Sequence, residues 1–182
     1  RKYAFGYFGH MWELYTFCTF VPLMLSQKLN SLDYNYSLLS FSIIGFGALA
    51  CFISGILSNW LSGHRIALIA VTVSGACCLF FPLVFCYASN DLYIAFLFFW
   101  GVFVVADSPM FSSLVAANAP AELRGSTLTL VNSIGFLITI LSIQFTGQML
   151  KHLPFYYVWT ILAIGPVFAV LQLVNRSNKL KL

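Results

Sequence analysis

The sequence predicts an all-α membrane protein, one bundle of six transmembrane helices. Three observations carry this. Of 182 residues, 60% are apolar and 8% charged, and the mean hydropathy is +0.90; a water-soluble domain is about 25% charged. Residues 34–64, 66–90, 125–150 and 152–175 contain no Asp, Glu, Lys or Arg, while 3–27 and 92–121 contain one carboxylate each. All six windows exceed the roughly 20 residues that a spanning helix needs. Finally, the runs are apolar on every face rather than alternating, which selects helices over barrel strands. The composition excludes a cytosolic enzyme, a disordered chain and a secreted disulfide scaffold.

The first helix, 4–25, is too long for a signal-peptide core and is followed by no small-residue cleavage site, so it is expected to remain in the mature protein. The second, 37–60, follows the polar break Lys28–Tyr36. In it Gly47, Cys51 and Gly55 recur every four residues, a seam for close helix packing. The third, 66–87, is bounded by the breaks Ser62–Arg65 and Ser89–Asp91. The fourth, 92–117, contains Asp107-Ser108-Pro109, and Pro109 removes a backbone hydrogen bond near its middle. The fifth, 125–149, follows the break Pro120–Arg124. It places Asn132, Gly135, Thr139 and Ser142 in one narrow arc, suited to bonding a neighbouring helix, with Asn132 the candidate for solute contact. The sixth, 155–174, follows Lys151–Pro154. All the breaks are short, so residues 1–182 form one domain. The chain begins with Arg1 and reads as part of a longer polypeptide.

With six spans, Arg1, Lys2, Arg65, Arg124, Arg176, Lys179 and Lys181 share one side, and only Lys28 and Lys151 lie on the other. The positive-inside bias then puts both termini in the cytoplasm. Tyr34, Tyr36, Tyr87, Tyr93, Tyr156 and Tyr157 are expected at the outer interface. The net charge of +4 meets an anionic inner leaflet, not nucleic acid. The five cysteines lie in apolar helices without C-x-x-C spacing and read as small core residues. No cofactor motif or metal-ligand pattern is visible.

Two carboxylates carry the functional signal. Glu13 and Asp107 fall near mid-span, where a charged group costs roughly 2.5–3.5 kcal/mol on insertion scales and is usually retained for a purpose. No Lys or Arg lies within any span. His10, one turn before Glu13, is the local candidate partner. The acids open the two successive helix triplets, as a 3+3 inverted repeat with a midplane site would place them. Phe17, with Trp12 and Trp100, is aromatic at helical spacing and reads either as cavity wall or as plain core.

These residues carry a resemblance. Gly6-Tyr7-Phe8-Gly9-His10-Met11-Trp12-Glu13-Leu14-Tyr15 is similar to the opening of the seventh helix of prokaryotic major facilitator superfamily transporters. Ala106-Asp107-Ser108-Pro109, with Phe111-Ser112 and Leu114-Val115-Ala116, resembles their tenth helix. Pro120-Ala121-Glu122-Leu123-Arg124-Gly125 matches a P-x-E-x-R-G pattern found before the eleventh. The loop after the second helix departs from the family's G-x-L-A-D-R-x-G-R-R: Asn59 replaces the acid and Trp60 a base, leaving Arg65 as the residual cation. The resemblance covers nearly the whole chain, as the C-terminal half of such a transporter. It implies alternating access in the plasma membrane and a small-molecule solute. It also implies a missing partner, either an N-terminal six-helix half or a second copy. Glu13, His10, Asp107, Asn132 and Phe17 become candidate solute or proton-coupling residues, and Arg65, Glu122 and Arg124 candidate conformational ones. The other readings are a non-transporting assembly or receptor subunit and an intramembrane enzyme. No G-x-S-G occurs, and no G-x-G-D accompanies a Y-D pair. His10 and Glu13 stand one residue short of a zinc-type H-x-x-x-D.

Overall fold

The computed structural model describes residues 1–29 and 34–174. They form α1 (Lys2–Leu29), α2 (Tyr36–Leu57), α3 (Gly63–Tyr87), α4 (Asn90–Ala106), α5 (Ser108–Ala117), α6 (Arg124–His152), α7 (Phe155–Leu162) and α8 (Ile164–Val174), with a short 3-10 turn at Ala121–Leu123. No strand occurs among the described residues. Helix starts follow local capping chemistry. The side chains of Asn35, Ser62 and Ser89 accept the backbone N–H of Leu38, Arg65 and Leu92, satisfying donors that the first turn otherwise leaves unpaired. Ser62 therefore starts α3 three residues before the expected Ile66, and α2 ends at Leu57 rather than residue 60.

Two of the expected helices are divided. The fourth breaks at Asp107, between α4 and α5, where Pro109 cannot donate to the carbonyl of Val105. That freed carbonyl accepts instead from the Asp107 N–H and from the Cys51 thiol of α2, at 3.2 Å. The sixth breaks at Ala163, between α7 and α8, ahead of Pro166, a break the sequence reading did not anticipate.

Cross-helix contacts fix the directions. Tyr3 meets His64 and Lys28 donates to the Phe85 carbonyl, so α1 and α3 run parallel. Thr139 donates to the Met11 carbonyl and Ser142 to that of Trp12, so α6 runs with α1 too. The Tyr93 hydroxyl reaches the Met24 carbonyl, placing the start of α4 at the end of α1. Gly9 on α1 and Gly165 on α8 cross so closely that a Cβ on either would strike the other's carbonyl oxygen.

Helix α1 is thus enclosed by α2, α4, α5, α6 and α8, and much of its circumference is buried. Helices α2 and α6 are peripheral. In α2 only Ser40, Ile43, Gly47, Ala50 and Ser54 are buried, and in α6 only Val131, Gly135, Thr139, Ser142 and Thr146.

Several expectations are corrected here. Among the described residues, five of the six expected helices are long and apolar enough by composition to cross a membrane: Tyr36–Leu57, Gly63–Tyr87, Asn90–Ala117, Ala121–His152 and Phe155–Val174. The helix outside this set is α1, whose 28 residues suffice in length but whose hydropathy is diluted by groups such as His10 and Glu13. The packing seam of α2 includes Gly47, but a side chain at Gly55 would meet open space. Tyr93 is fully buried rather than interfacial. Cys86 is exposed rather than core. Arg176, Lys179 and Lys181 lie outside the described residues.

Candidate functional site

Glu13 is fully buried and accepts three hydrogen bonds. The Trp100 indole N–H of α4 donates to Oε1 at 2.8 Å, the Cys78 thiol of α3 to the same oxygen at 3.3 Å, and the Ser74 hydroxyl of α3 to Oε2 at 2.9 Å. Among the described residues no cation shares the site. An aromatic wall holds Trp100 in place: Phe17, Phe81 and Phe96 lie 4.7, 5.9 and 6.0 Å from it between ring centroids. Phe17 is fully buried in that wall.

A second polar cluster lies one turn earlier on α1. His10, also buried, places Nδ1 3.0 Å from Oδ1 of Asp107 and Nε2 2.9 Å from the Ser108 hydroxyl. Its ring stacks on Phe111 at 5.6 Å. The approach to Asp107 is close in distance but not aligned as a hydrogen bond, and neither carboxylate oxygen of Asp107 has another partner among the described residues. His10 therefore faces the α4/α5 break rather than Glu13. The i, i+3 spacing puts the two residues on one stretch of helix, but tertiary packing gives them different partners.

The polar arc of α6 faces α1. Thr139 and Ser142 bond α1 carbonyls, and Thr16 donates to Ser142 at 2.7 Å. A Cβ on Gly135 would lie 2.7 Å from the Tyr7 ring. Three members of the arc are thus helix-joining. Asn132 is only half-buried, and its side chain makes no hydrogen bond among the described residues. Arg65, Glu122 and Arg124 are exposed, and none forms an ion pair among the described residues.

Sequence reasoning found both acids and His10 but missed what surrounds them. Ser74 and Cys78 lie on one face of α3, four residues apart, yet in an apolar helix a Ser and a Cys look like small packing residues. Trp100 was read as core or cavity wall, and its N–H is in fact aimed at Glu13. The one available signal was that a buried indole needs an acceptor.

The family model of the Major Facilitator Superfamily matches residues 3–178. The chain belongs to that superfamily. Its members are membrane transporters rather than enzymes, and the apolar helices described above are those of a multi-pass membrane protein. Comparison with curated proteins finds no match to the chain. Within this superfamily member, both acidic clusters tie the central helix α1 to the broken helix α4/α5. Any movement of one relative to the other must remake those bonds.

Proposed function

We propose that this chain is one six-helix half of a secondary transporter that couples a small solute to protons across the plasma membrane by alternating access. The observation that carries the reading is Glu13, a carboxyl without exposed surface that accepts three donors and has no cation beside it among the described residues. A carboxylate held so deep within apolar helices is usually functional. A proton can be taken up on the carboxyl without displacing the three donors that surround it. A cationic solute group would have to displace Trp100 first, so the geometry favours the proton over a positively charged substrate. His10 and Asp107, astride the α4/α5 break, form the second site.

The wider picture follows the same reading. Helices α1 to α3 and α4 to α8 correspond to the two triplets of an inverted repeat, with an acid on the first helix of each. Arg1, Lys2, Arg65 and Arg124 at one end, against Lys28 and Lys151 at the other, favour cytoplasmic termini. The motif likeness favours the prokaryotic type, and a proton carried on Glu13 in the same direction as the solute would make the transport symport. The partners are the bilayer, the solute and a second six-helix unit that covers the other side of the pathway. Asn132, half-buried with its amide unengaged among the described residues, is the candidate solute contact on this half.

Glu13→Gln in the transporter is the test. The near-isosteric amide should insert and fold, abolish solute accumulation driven by an imposed pH gradient, and leave solute exchange at equal pH largely intact. Asp107→Asn should reduce accumulation more mildly. Wild-type pH-driven uptake in the Gln variant would sink the proton reading.

A further inference from the structure

Glu13 is surrounded by donors, which suits a carboxylate but poses a problem for the protonated acid. A carboxylic acid needs an acceptor for its own O–H. Indole N–H is a donor only, and a thiol is a weak acceptor. Oε1 already takes the Trp100 and Cys78 bonds, so the free position for a proton is Oε2, which faces Ser74 alone. Ser74 has two acceptors within reach of its single hydroxyl proton: Oε2 of Glu13 at 2.9 Å and the Val71 carbonyl, one turn back on α3, at 3.2 Å. Only one can be served at a time.

We propose that Ser74 is the positioning residue that lets Glu13 take up and release a proton, hydrogen-bonded in both states, without moving a helix. With Glu13 ionised, Ser74 donates to Oε2. When a proton from water arrives on Oε2, the new O–H donates to Ser74 Oγ, and the Ser74 hydroxyl rotates to donate to the Val71 carbonyl. Release returns the proton to water and reverses both bonds. No heavy atom shifts beyond a torsion, so the change stays local until the α1–α4 contact itself is remade.

The groups facing Glu13 leave this role to Ser74. From α3 come Ser74, Cys78 and the neighbouring thiol Cys77, and from α4 comes Trp100. Helix α6 brings hydroxyls to α1, and the α2 thiol Cys51 is committed to the Val105 carbonyl. On α1 itself His10 is engaged by Asp107 and Ser108. Asp107, the other buried acid, has no hydroxyl to exchange with Glu13.

The inference rests on Glu13 being the proton carrier, and one experiment separates the two. Infrared difference spectra between acid and alkaline pH are recorded on the purified protein in lipid vesicles. The Glu13 carboxylic C=O band is identified by its loss in Glu13→Gln. In Ser74→Ala that band should change frequency. Its disappearance should move to higher pH by about one unit, because the ionised form loses its charge-assisted donor. Ser74→Thr, which keeps the hydroxyl, should behave as wild type. Ser74→Cys, nearly isosteric, should fall between them and serves if the alanine variant does not fold. An unchanged band and midpoint in the Ala or Cys variant overturns the role of Ser74. Absence of any pH-sensitive Glu13 band in the wild type overturns the proton reading itself, and this inference with it.

Discussion

Helices α1 and α6 run parallel, touch along their length and are nearly equal in size, yet they are built on opposite plans. Helix α6 buries one narrow stripe of small and hydroxyl residues and turns Leu130, Phe136, Leu137, Ile140 and Leu141 outward. Helix α1 is covered on several sides and carries His10, Glu13 and Thr16 fully buried. In water the central helix of a bundle would be the most apolar one. Here the peripheral helix holds a stretch apolar enough for a membrane span and the central one does not. The reason is the solvent. Lipid rewards apolar side chains on the outside, while polar groups are tolerated only where other helices satisfy them.

Breaking the comparison starts at the tightest crossing. Gly9→Val on α1 forces a branched side chain into the Gly165 carbonyl. Overpacking costs about 1–3 kcal/mol even where neighbours can yield, and a backbone carbonyl cannot, so folded protein should be lost in detergent thermal scans. Gly55→Val on α2, where a side chain meets open space, should melt like wild type. Equal losses in the two variants would remove the distinction between enclosed and peripheral helices.

A smaller effect is expected where α6 bonds α1. Ser142→Ala deletes its donation to the Trp12 carbonyl and the acceptor of Thr16. Intramembrane hydrogen bonds average about 0.6 kcal/mol, so the pair should cost roughly 1 kcal/mol, read as a lowered unfolding midpoint. Leu141→Ala, on the outward side of the same helix, should leave it unchanged. A larger loss from the outward substitution would mean that this face is packed against protein in the assembled transporter.

The smallest signal is chemical. A membrane-permeant thiol reagent should modify Cys86 first, since it is the exposed cysteine, with Cys77 and Cys78 inert. Rapid labelling at Cys78 in a Cys86→Ser background would show that the Glu13 site opens in the resting state.

Much of this was legible before any coordinates. Charge-free runs set the helices, and Pro109 marked the α4/α5 break. Glu13, Asp107 and His10 stood out because ionisable groups are rare where water is absent. The α7/α8 break was not legible, because Pro166 alone does not say whether a helix bends or restarts. Nor was Gly55 separable from Gly47, since identical spacing says nothing about which turn of α2 the neighbour reaches. Tyr93 looked like an interface anchor because it begins a helix, yet that helix start is covered by α1 and the aromatic side chains of α3.

Composition by itself determined that this chain lives in lipid and that its acids need internal partners, because both follow from the cost of charge and unpaired backbone in hydrocarbon. Tertiary structure alone decided who those partners are. His10 and Glu13 are one turn apart in the chain, but a hydrogen bond needs a partner within about 3 Å, and that distance is set by which helices cross at that height. The crossing delivers Asp107 and Ser108 to His10, and Ser74, Cys78 and Trp100 to Glu13. Residues from 61 to 98 positions away become neighbours of α1 because α3 and the α4/α5 break pass on its two sides.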